Sequence, residues 1–350
     1  MQIAGLEHEM LDLVLRMPED LEEAYSKYAA VIFPEKAGYQ NPSKIVVMGL
    51  GGSAIGGLIL SDYVYDRLSV PIIVTREFLA PHFLDDHTLV VAVSYSGNTE
   101  ETLRSLKSAL KLTDSIVTIT SDGFLEKTAK KYSLPTYVLP SGRPPRTALP
   151  QMMIALLWIL EKSGLYKFPI EEAKEAISLL KELRKHYVTN PEPLIELASK
   201  ISESLPLVYS YWPYRYVGYR FKTQLNENAK IHAFWAPLPE ANHNEIMGWE
   251  GRLQANYHPV IIRDEQEEDY LRYRIEYLKN LLRSRGISYS EVFTKGRTRL
   301  AKMFSTIFTL DLVSVILALK LGVDPLPVST ISGLKSYLST RIDPKEYSEI

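Results

Sequence analysis

From Lys44 onward the chain repeats one pattern: a short run rich in Val and Ile, a turn, then a stretch of helical period. The runs are KIVVMG, SVPIIVT, TLVVAVSYS, DSIVTITS and LPTYVLPSG. Each is continuously apolar instead of alternating, as expected of a strand buried on both faces. Strands that alternate with helices pair in parallel, since a parallel partner needs a crossover long enough to hold a helix. The pattern predicts a doubly wound α/β domain over about residues 40–160, with its ligand beyond the C-terminal strand ends.

A less regular second cycle follows. Helices are expected near 171–187 and 191–203, then strand SLPLVYSY, a helix through Lys222 to Asn228, strand HPVIIRD, a helix from Glu267 to Arg283, strand ISYSEVF and a long helix over 298–321. Two α/β subdomains with parallel sheets flanked by helices are therefore predicted. The divisions are an N-terminal helical segment over 1–39, a first subdomain over 40–164 and a second over 165–350. Their junction is expected between Leu165 and Ile170, beside Gly164 and Pro169.

The 40 Lys and Arg and 42 Asp and Glu are interspersed and leave a net charge of −2. No basic stripe marks a nucleic-acid partner, and a small molecule is expected instead. The chain has no cysteine, which excludes disulfides, thiolate metal sites and a cysteine nucleophile; with 21 prolines this agrees with a thermophilic source. Met1 to Pro18 reads as an amphipathic helix bearing Glu7, Glu9, Asp12 and Arg16, not as a signal sequence, so a cytoplasmic location is expected. The most apolar helix, Met303 to Leu321, carries Asp311 in its middle. Neither half supplies the roughly 20 apolar residues that span a bilayer, and a core or interface helix is expected, with no membrane partner.

The first strand runs into Gly49-Leu-Gly-Gly-Ser-Ala-Ile-Gly-Gly57 and a helix, the layout of a phosphate cradle. Gly49, Gly51 and Ala54 also fit G-x-G-x-x-A, and Glu77 after PIIVTR could receive ribose hydroxyls, so a dinucleotide is a competing reading. The third strand supplies a second loop, Ser94-Tyr-Ser-Gly-Asn-Thr-Glu-Glu-Thr102, at the start of another helix. The hydroxyls of Ser94, Ser96 and Thr99 with free backbone N–H groups make a nest for one phosphate monoester. Thr99 is also placed to cap that helix.

The two loops together resemble the sugar isomerase domain, whose G-G-S-A loop positions the sugar and whose S-x-S-G-x-T loop grips its phosphate. The resemblance implies that Ser94, Ser96 and Thr99 hold phosphate, while Gly51, Gly52 and Ser53 lie against the sugar. Further along, GRPPRTAL (142–149), ENAKIHAFWAPLPEANHNEIMGWEG (227–251) and DPLPVSTISGLK (324–335) are similar to the bifunctional phosphoglucose/phosphomannose isomerases, a chiefly archaeal family. This similarity runs over about residues 40–340. It implies two subdomains of the sugar isomerase type, no cofactor and no metal. The implied reaction interconverts glucose 6-phosphate, and mannose 6-phosphate, with fructose 6-phosphate through a cis-enediolate.

In that family a glutamate moves the proton between C1 and C2, and a histidine sixteen positions on opens the ring. Glu227 and His243 have this interval, which favours Glu227 over Glu240 and Glu245. His243 is implied to reach the site from the neighbouring subunit of a homodimer. Arg146, in PPRTAL, resembles the arginine that faces the enediolate, although Thr147 replaces the usual alanine and Arg143 competes. Lys335, in ISGLKSYL, is implied to assist at the ring and C1 oxygens, its helix turning Ile331, Leu334 and Leu338 to an apolar face. A hydroxyl just before it, Ser329 or Thr330, is associated with tolerance of the mannose epimer.

Three other readings compete. Glucosamine-6-phosphate synthase needs a glutaminase domain with a cysteine that this chain lacks. A nicotinamide dehydrogenase predicts cofactor binding. A non-catalytic sugar-phosphate regulator of the same fold accounts for the phosphate loop but not for Glu227, His243 and Lys335 together. The tyrosine-rich run Tyr209 to Phe221 is expected in the core and at a dimer interface.

Overall fold

The computed structural model describes residues 3, 5–36, 38–343 and 345–348. The chain begins with α1 (Glu9–Leu15) and α2 (Met17–Tyr28), then β1 (Lys44–Met48), α3 (Gly52–Val64), β2 (Ile72–Thr75), β3 (Thr88–Ser94), α4 (Glu100–Ala109), β4 (Ile116–Thr120), α5 (Gly123–Lys131), β5 (Thr136–Val138) and α6 (Leu149–Lys162). Next come α7 (Ile170–Thr189), α8 (Glu192–Ser202), β6 (Leu205–Tyr211), α9 (Arg215–Glu227), β7 (Phe234–Leu238), β8 (Tyr257–Arg263), α10 (Asp269–Ser284), β9 (Ser290–Phe293) and α11 (Arg299–Lys320). The chain closes with α12 (Ser329–Ser339) and α13 (Lys345–Ser348). At the amino end, Ile3 and Leu6 form an antiparallel bridge before the helix begins at Glu9, so the helix is shorter than the sequence predicts. The helical reading of residues 1, 2 and 4 lies outside the described residues.

The chain forms two compact units, Glu19–Ile170 with Val328–Ile350, and Met1–Pro18 with Glu171–Pro327. In the first, five parallel strands lie in the order β2-β1-β3-β4-β5. All seven residues of the central β3 are buried, whereas edge strand β2 is only half-buried, which is why β3 reads as an unbroken apolar run. Val46, Val90 and Ala92 of the sheet pack with Leu103, Leu106 and Leu125 of the flanking helices. Segments 328–343 and 345–348, and so Ser329, Thr330 and Lys335, group with this sheet.

In the second unit four parallel strands take the order β7-β6-β8-β9. This repeats the order of the first four strands of the other sheet, so β8 corresponds to β3. Strand β7 is absent from the sequence reading for a physical reason: it is an edge strand with Phe234 53% exposed, and it contains Pro237, which cannot donate to a ladder. Helix α11 forms the backbone of this core. It is long and apolar enough to cross a membrane, but 94% of its most apolar window is buried within the protein. Asp311, which the sequence shows only as an interruption, accepts from Arg220 Nε at 3.2 Å and Nη2 at 2.6 Å, and both side chains are buried. A buried charge persists when it is paired and hydrogen-bonded, as here.

Candidate functional site

Two loops at the C-terminal ends of β1 and β3 meet in the first unit. Ser94 ends β3 and is fully buried. Its Oγ lies 2.9 Å from Thr99 Oγ1 across the intervening turn. Thr99 occupies the N-cap position of α4, but its side chain makes no capping bond, contrary to the sequence expectation. The hydroxyl turns to Ser94 instead. Backbone N–H groups at the start of a helix have no intrahelical partner, and Thr99 leaves these uncapped, so the α4 N-terminus presents donors and a partial positive charge. Ser96 Oγ accepts from the Asn98 N–H at 3.3 Å, on the rim of the same turn.

The first turn of α4 also carries Glu100 and Glu101, carboxylates that would oppose an anion. Glu100 is neutralised by Arg104 one turn on, with Nε to Oε1 at 2.7 Å. The turn itself depends on Gly97, whose φ is +67°. A Cβ there would lie 1.7 Å from the Asp122 carbonyl oxygen, so no larger residue fits. Asn98 Oδ1 accepts from the Phe124 N–H at 3.1 Å and joins the turn to the start of α5.

Tyr95 connects the pieces, a role with no sign in the sequence. Its N–H donates to Ser53 Oγ at 3.2 Å, tying the turn to the glycine loop. Its hydroxyl donates to the Pro140 carbonyl at 2.7 Å and accepts from the Arg143 N–H at 3.2 Å. Ser121 Oγ donates to its carbonyl at 2.6 Å. Burial raises the Tyr95 hydroxyl above its ordinary pKa, so it stays a neutral donor.

The glycine loop also admits Arg146. A Cβ on Gly52 would sit 3.2 Å from the Arg146 nitrogen and 3.3 Å from the Pro145 carbonyl carbon, so a side chain there would push the 145–146 backbone back by a few tenths of an ångström. Arg146 is 2% exposed, which rules out a surface arginine. Its competitor Arg143 is committed elsewhere: its guanidinium binds Asp20 through Nη1 at 2.6 Å and Nη2 at 3.2 Å. The first unit therefore brings together Ser53, Ser94, Thr99, Gly52 and the Arg146 backbone, with Gly51 as N-cap of α3 at φ +51°.

Ser329, Thr330 and Lys335 lie on α12, which has no buried residue. Its expected apolar face is exposed in the single chain, with Ile331 at 45% and Leu334 at 57%. In the second unit, half-buried Glu227 is the last residue of α9. Lys230 Nζ donates to the Glu227 carbonyl oxygen. The adjacent Asn228, fully buried, donates from Nδ2 to Ser314 Oγ at 2.8 Å and fixes this helix end to α11. His243 is exposed between two short 3₁₀ turns, its N–H bonded to the Glu240 carbonyl. Glu245, weighed against Glu227 as a base, accepts from the buried Tyr209 hydroxyl at 2.6 Å, and burial raises its pKa. Among the described residues no group of three or more His, Asp or Glu is placed to hold a metal ion.

The end of β8 corresponds to the end of β3 and carries no such nest. Arg263 Nε binds Glu267 Oε1 and Oε2 at 3.0 and 2.9 Å, and Lys302 binds both oxygens of Asp264 at 2.9 Å. Tyr211 donates to Glu267 and Tyr214 to Asp264. Burial opposes the Asp264 charge, but hydrogen bonds from Tyr214 and Gln266 and the Lys302 cation hold its pKa below the ordinary value.

Residues 191–338 match the family described as the bacterial phospho-glucose isomerase C-terminal SIS domain. A bifunctional phosphoglucose/phosphomannose isomerase from Caldicellulosiruptor bescii is 34% identical over 337 residues, covering 94% of this chain and 99% of its own. One of the same name from Aquifex aeolicus is 34% identical over 296 residues, 84% and 90% of the two chains. Among solved structures, a hypothetical protein from Thermus thermophilus has a TM-score of 0.74 at 18% identity, covering 96% of this chain and 91% of that one, a likeness of fold. With relatives this similar over nearly their whole lengths, the chain belongs to the bifunctional phosphoglucose/phosphomannose isomerase family.

Proposed function

We propose that this protein is an aldose-ketose isomerase that interconverts glucose 6-phosphate and mannose 6-phosphate with fructose 6-phosphate. The observation that carries the reading is the turn after β3, where the Ser94 and Thr99 hydroxyls pair beside a helix start that Thr99 leaves uncapped. Such a site suits one dianionic monoester, since the helix dipole and hydroxyl donors act on it together. A dinucleotide reading needs only the first glycine loop and leaves this second one unexplained.

In this reading Ser94, Ser96 and Thr99 hold the phosphate, while Gly51, Gly52 and Ser53 line the sugar. His243 protonates the ring oxygen and Lys335 assists at the ring and C1 oxygens, which frees the open-chain aldehyde. Glu227 then removes the proton from C2, exchanges it in part with solvent, and delivers a proton to C1. The electron pair left at C2 forms the enediolate, whose negative oxygen faces the Arg146 guanidinium, a positioned cation of the kind that stabilises charge developing in the transition state, and the O2 hydroxyl proton passes to O1 as the C2 carbonyl forms. Rotation about the C2–C3 bond of the intermediate lets one base serve both epimers, with Ser329 or Thr330 accommodating the mannose 2-hydroxyl. The exposure of His243 in the single chain supports its supply from the neighbouring subunit of a homodimer. A soluble cytoplasmic setting goes with these phosphorylated substrates.

A coupled assay that consumes glucose 6-phosphate tests the proposal. Turnover of fructose 6-phosphate and of mannose 6-phosphate is expected. Saturable fructose 6-phosphate binding without turnover would instead indicate a non-catalytic regulator.

A further inference from the structure

We infer that the short segment Lys345–Ser348 is a strap that fixes the Lys335 helix to the phosphate-binding helix, with Tyr347 and Glu346 as positioning residues. The inference rests on the role given above to Lys335. Helix α12 has a mechanical problem: no side chain along its eleven residues is buried, so it has no core packing of its own to fix the reach of Lys335. The chain solves this just beyond that helix, where α13 packs on α4.

The docking is specific. The Tyr347 side chain packs against the hydrophobic cluster formed by Val46, Val90, Leu103 and Leu106. The Arg104 guanidinium lies 5.5 Å from the centre of its ring, within the range of a cation–π contact. Glu346 Oε2 accepts from Arg104 Nη2 at 3.3 Å, and its carbonyl accepts from Lys107 Nζ at 3.1 Å. Burial and the nearby Glu100 raise the Tyr347 hydroxyl above its ordinary pKa, as expected of a ring drawn against the helix.

The anchoring position matters more than its strength. Arg104 is the residue that also neutralises Glu100 in the first turn of α4. The strap thus grips α4 about one turn, or about 6 Å along the axis, from the N–H groups assigned to the phosphate. Substrate phosphate and Lys335 are referred to the same helix. Exposed ion pairs such as Arg104–Glu346 contribute little to overall stability, so the contact is better suited to registering one element against another than to holding the fold.

The test measures steady-state isomerisation of fructose 6-phosphate by Tyr347→Ala, Glu346→Lys and Tyr347→Phe, each alone and combined with Lys335→Ala. Tyr347→Ala and Glu346→Lys are expected to lower kcat about tenfold with KM within about twofold, because phosphate binding is intact. Tyr347→Phe keeps the ring and is expected to retain activity. In the Lys335→Ala background neither strap substitution should lower kcat further, since the strap acts through that lysine. Thermal melting of each single variant is expected to match wild type within a few degrees. An equal kcat loss with and without Lys335, or a rise in KM at constant kcat, would overturn the strap. So would full activity of Tyr347→Ala beside an impaired Lys335→Ala. Full activity of Lys335→Ala itself would remove the lysine's role, a failure distinguishable from the others.

Discussion

At the level of single residues, the decisive feature is a hydroxyl that declines an obvious partner. Thr99 stands where a threonine ordinarily caps a helix, yet its Oγ1 pairs with Ser94. The helix start is left uncapped, and the tight turn before it depends on Gly97. A hydrogen bond to a charged group is worth about 1.5–3 kcal/mol. Ser94→Ala and Thr99→Val are therefore each expected to raise KM for fructose 6-phosphate about tenfold or more, with a smaller change in kcat; an unchanged KM would move the phosphate elsewhere. The residue types of this turn are legible in the sequence because hydroxyls, glycine and a helix start are local signals. The turning of Thr99 is not, because it depends on Ser94 emerging from a buried strand. Tyr95 is hidden for the same reason: a tyrosine between two serines looks ordinary until its hydrogen bonds to Ser53, Ser121, Pro140 and Arg143 are seen.

At the level of elements, parallel strands β1, β3, β4, β6 and β8 are readable because burial on both faces makes each a continuous apolar run. Strand β7 is not, since half of it faces solvent and Pro237 opposes a strand assignment. Helix α11 shows the converse case. Its apolar length is evident in the sequence, but the partner of Asp311 is not, because Arg220 lies 91 residues away. Breaking this buried pair from one side leaves an unpaired charge in the core, at a cost of about 3–5 kcal/mol. Arg220→Met and Asp311→Leu are each expected to lower the melting temperature by about 5 °C or more, whereas the double variant recovers most of the loss. A loss in the double variant equal to the sum of the two single losses would show that the two side chains are not coupled.

At the level of the whole molecule, two sheets share a strand order but differ in the side chains at their C-terminal ends. Where β3 opens into a hydroxyl nest, β8 ends in the Arg263–Glu267 and Asp264–Lys302 pairs, which occupy the corresponding position. The two-sheet organisation is visible in the alternation of strands and helices. The grouping of Val328–Ile350 with the first sheet arises from long-range packing that no local period encodes. The second sheet also carries a pH-dependent component of stability. His258 Nε2 lies 2.9 Å from Ser290 Oγ, and burial, aided by the Lys200 cation, lowers its pKa from 6.5 to about 4. Its folded pKa is below the unfolded value, so the unfolded chain takes up the proton first. Its contribution is complete above pH 6.5 and declines as pH falls toward about 4. His258→Gln is expected to flatten the fall in melting temperature over that window, and an unchanged slope would assign it to other groups. The central claim is that Glu227 carries a proton between C1 and C2 of a hexose 6-phosphate. Its most direct measurement is isomerisation in deuterium oxide followed by NMR. Wild type is expected to incorporate deuterium at C1 of fructose 6-phosphate from either aldose phosphate, and Glu227→Gln to do so about a thousandfold more slowly. Isomerisation or exchange by Glu227→Gln at the wild-type rate would contradict the account.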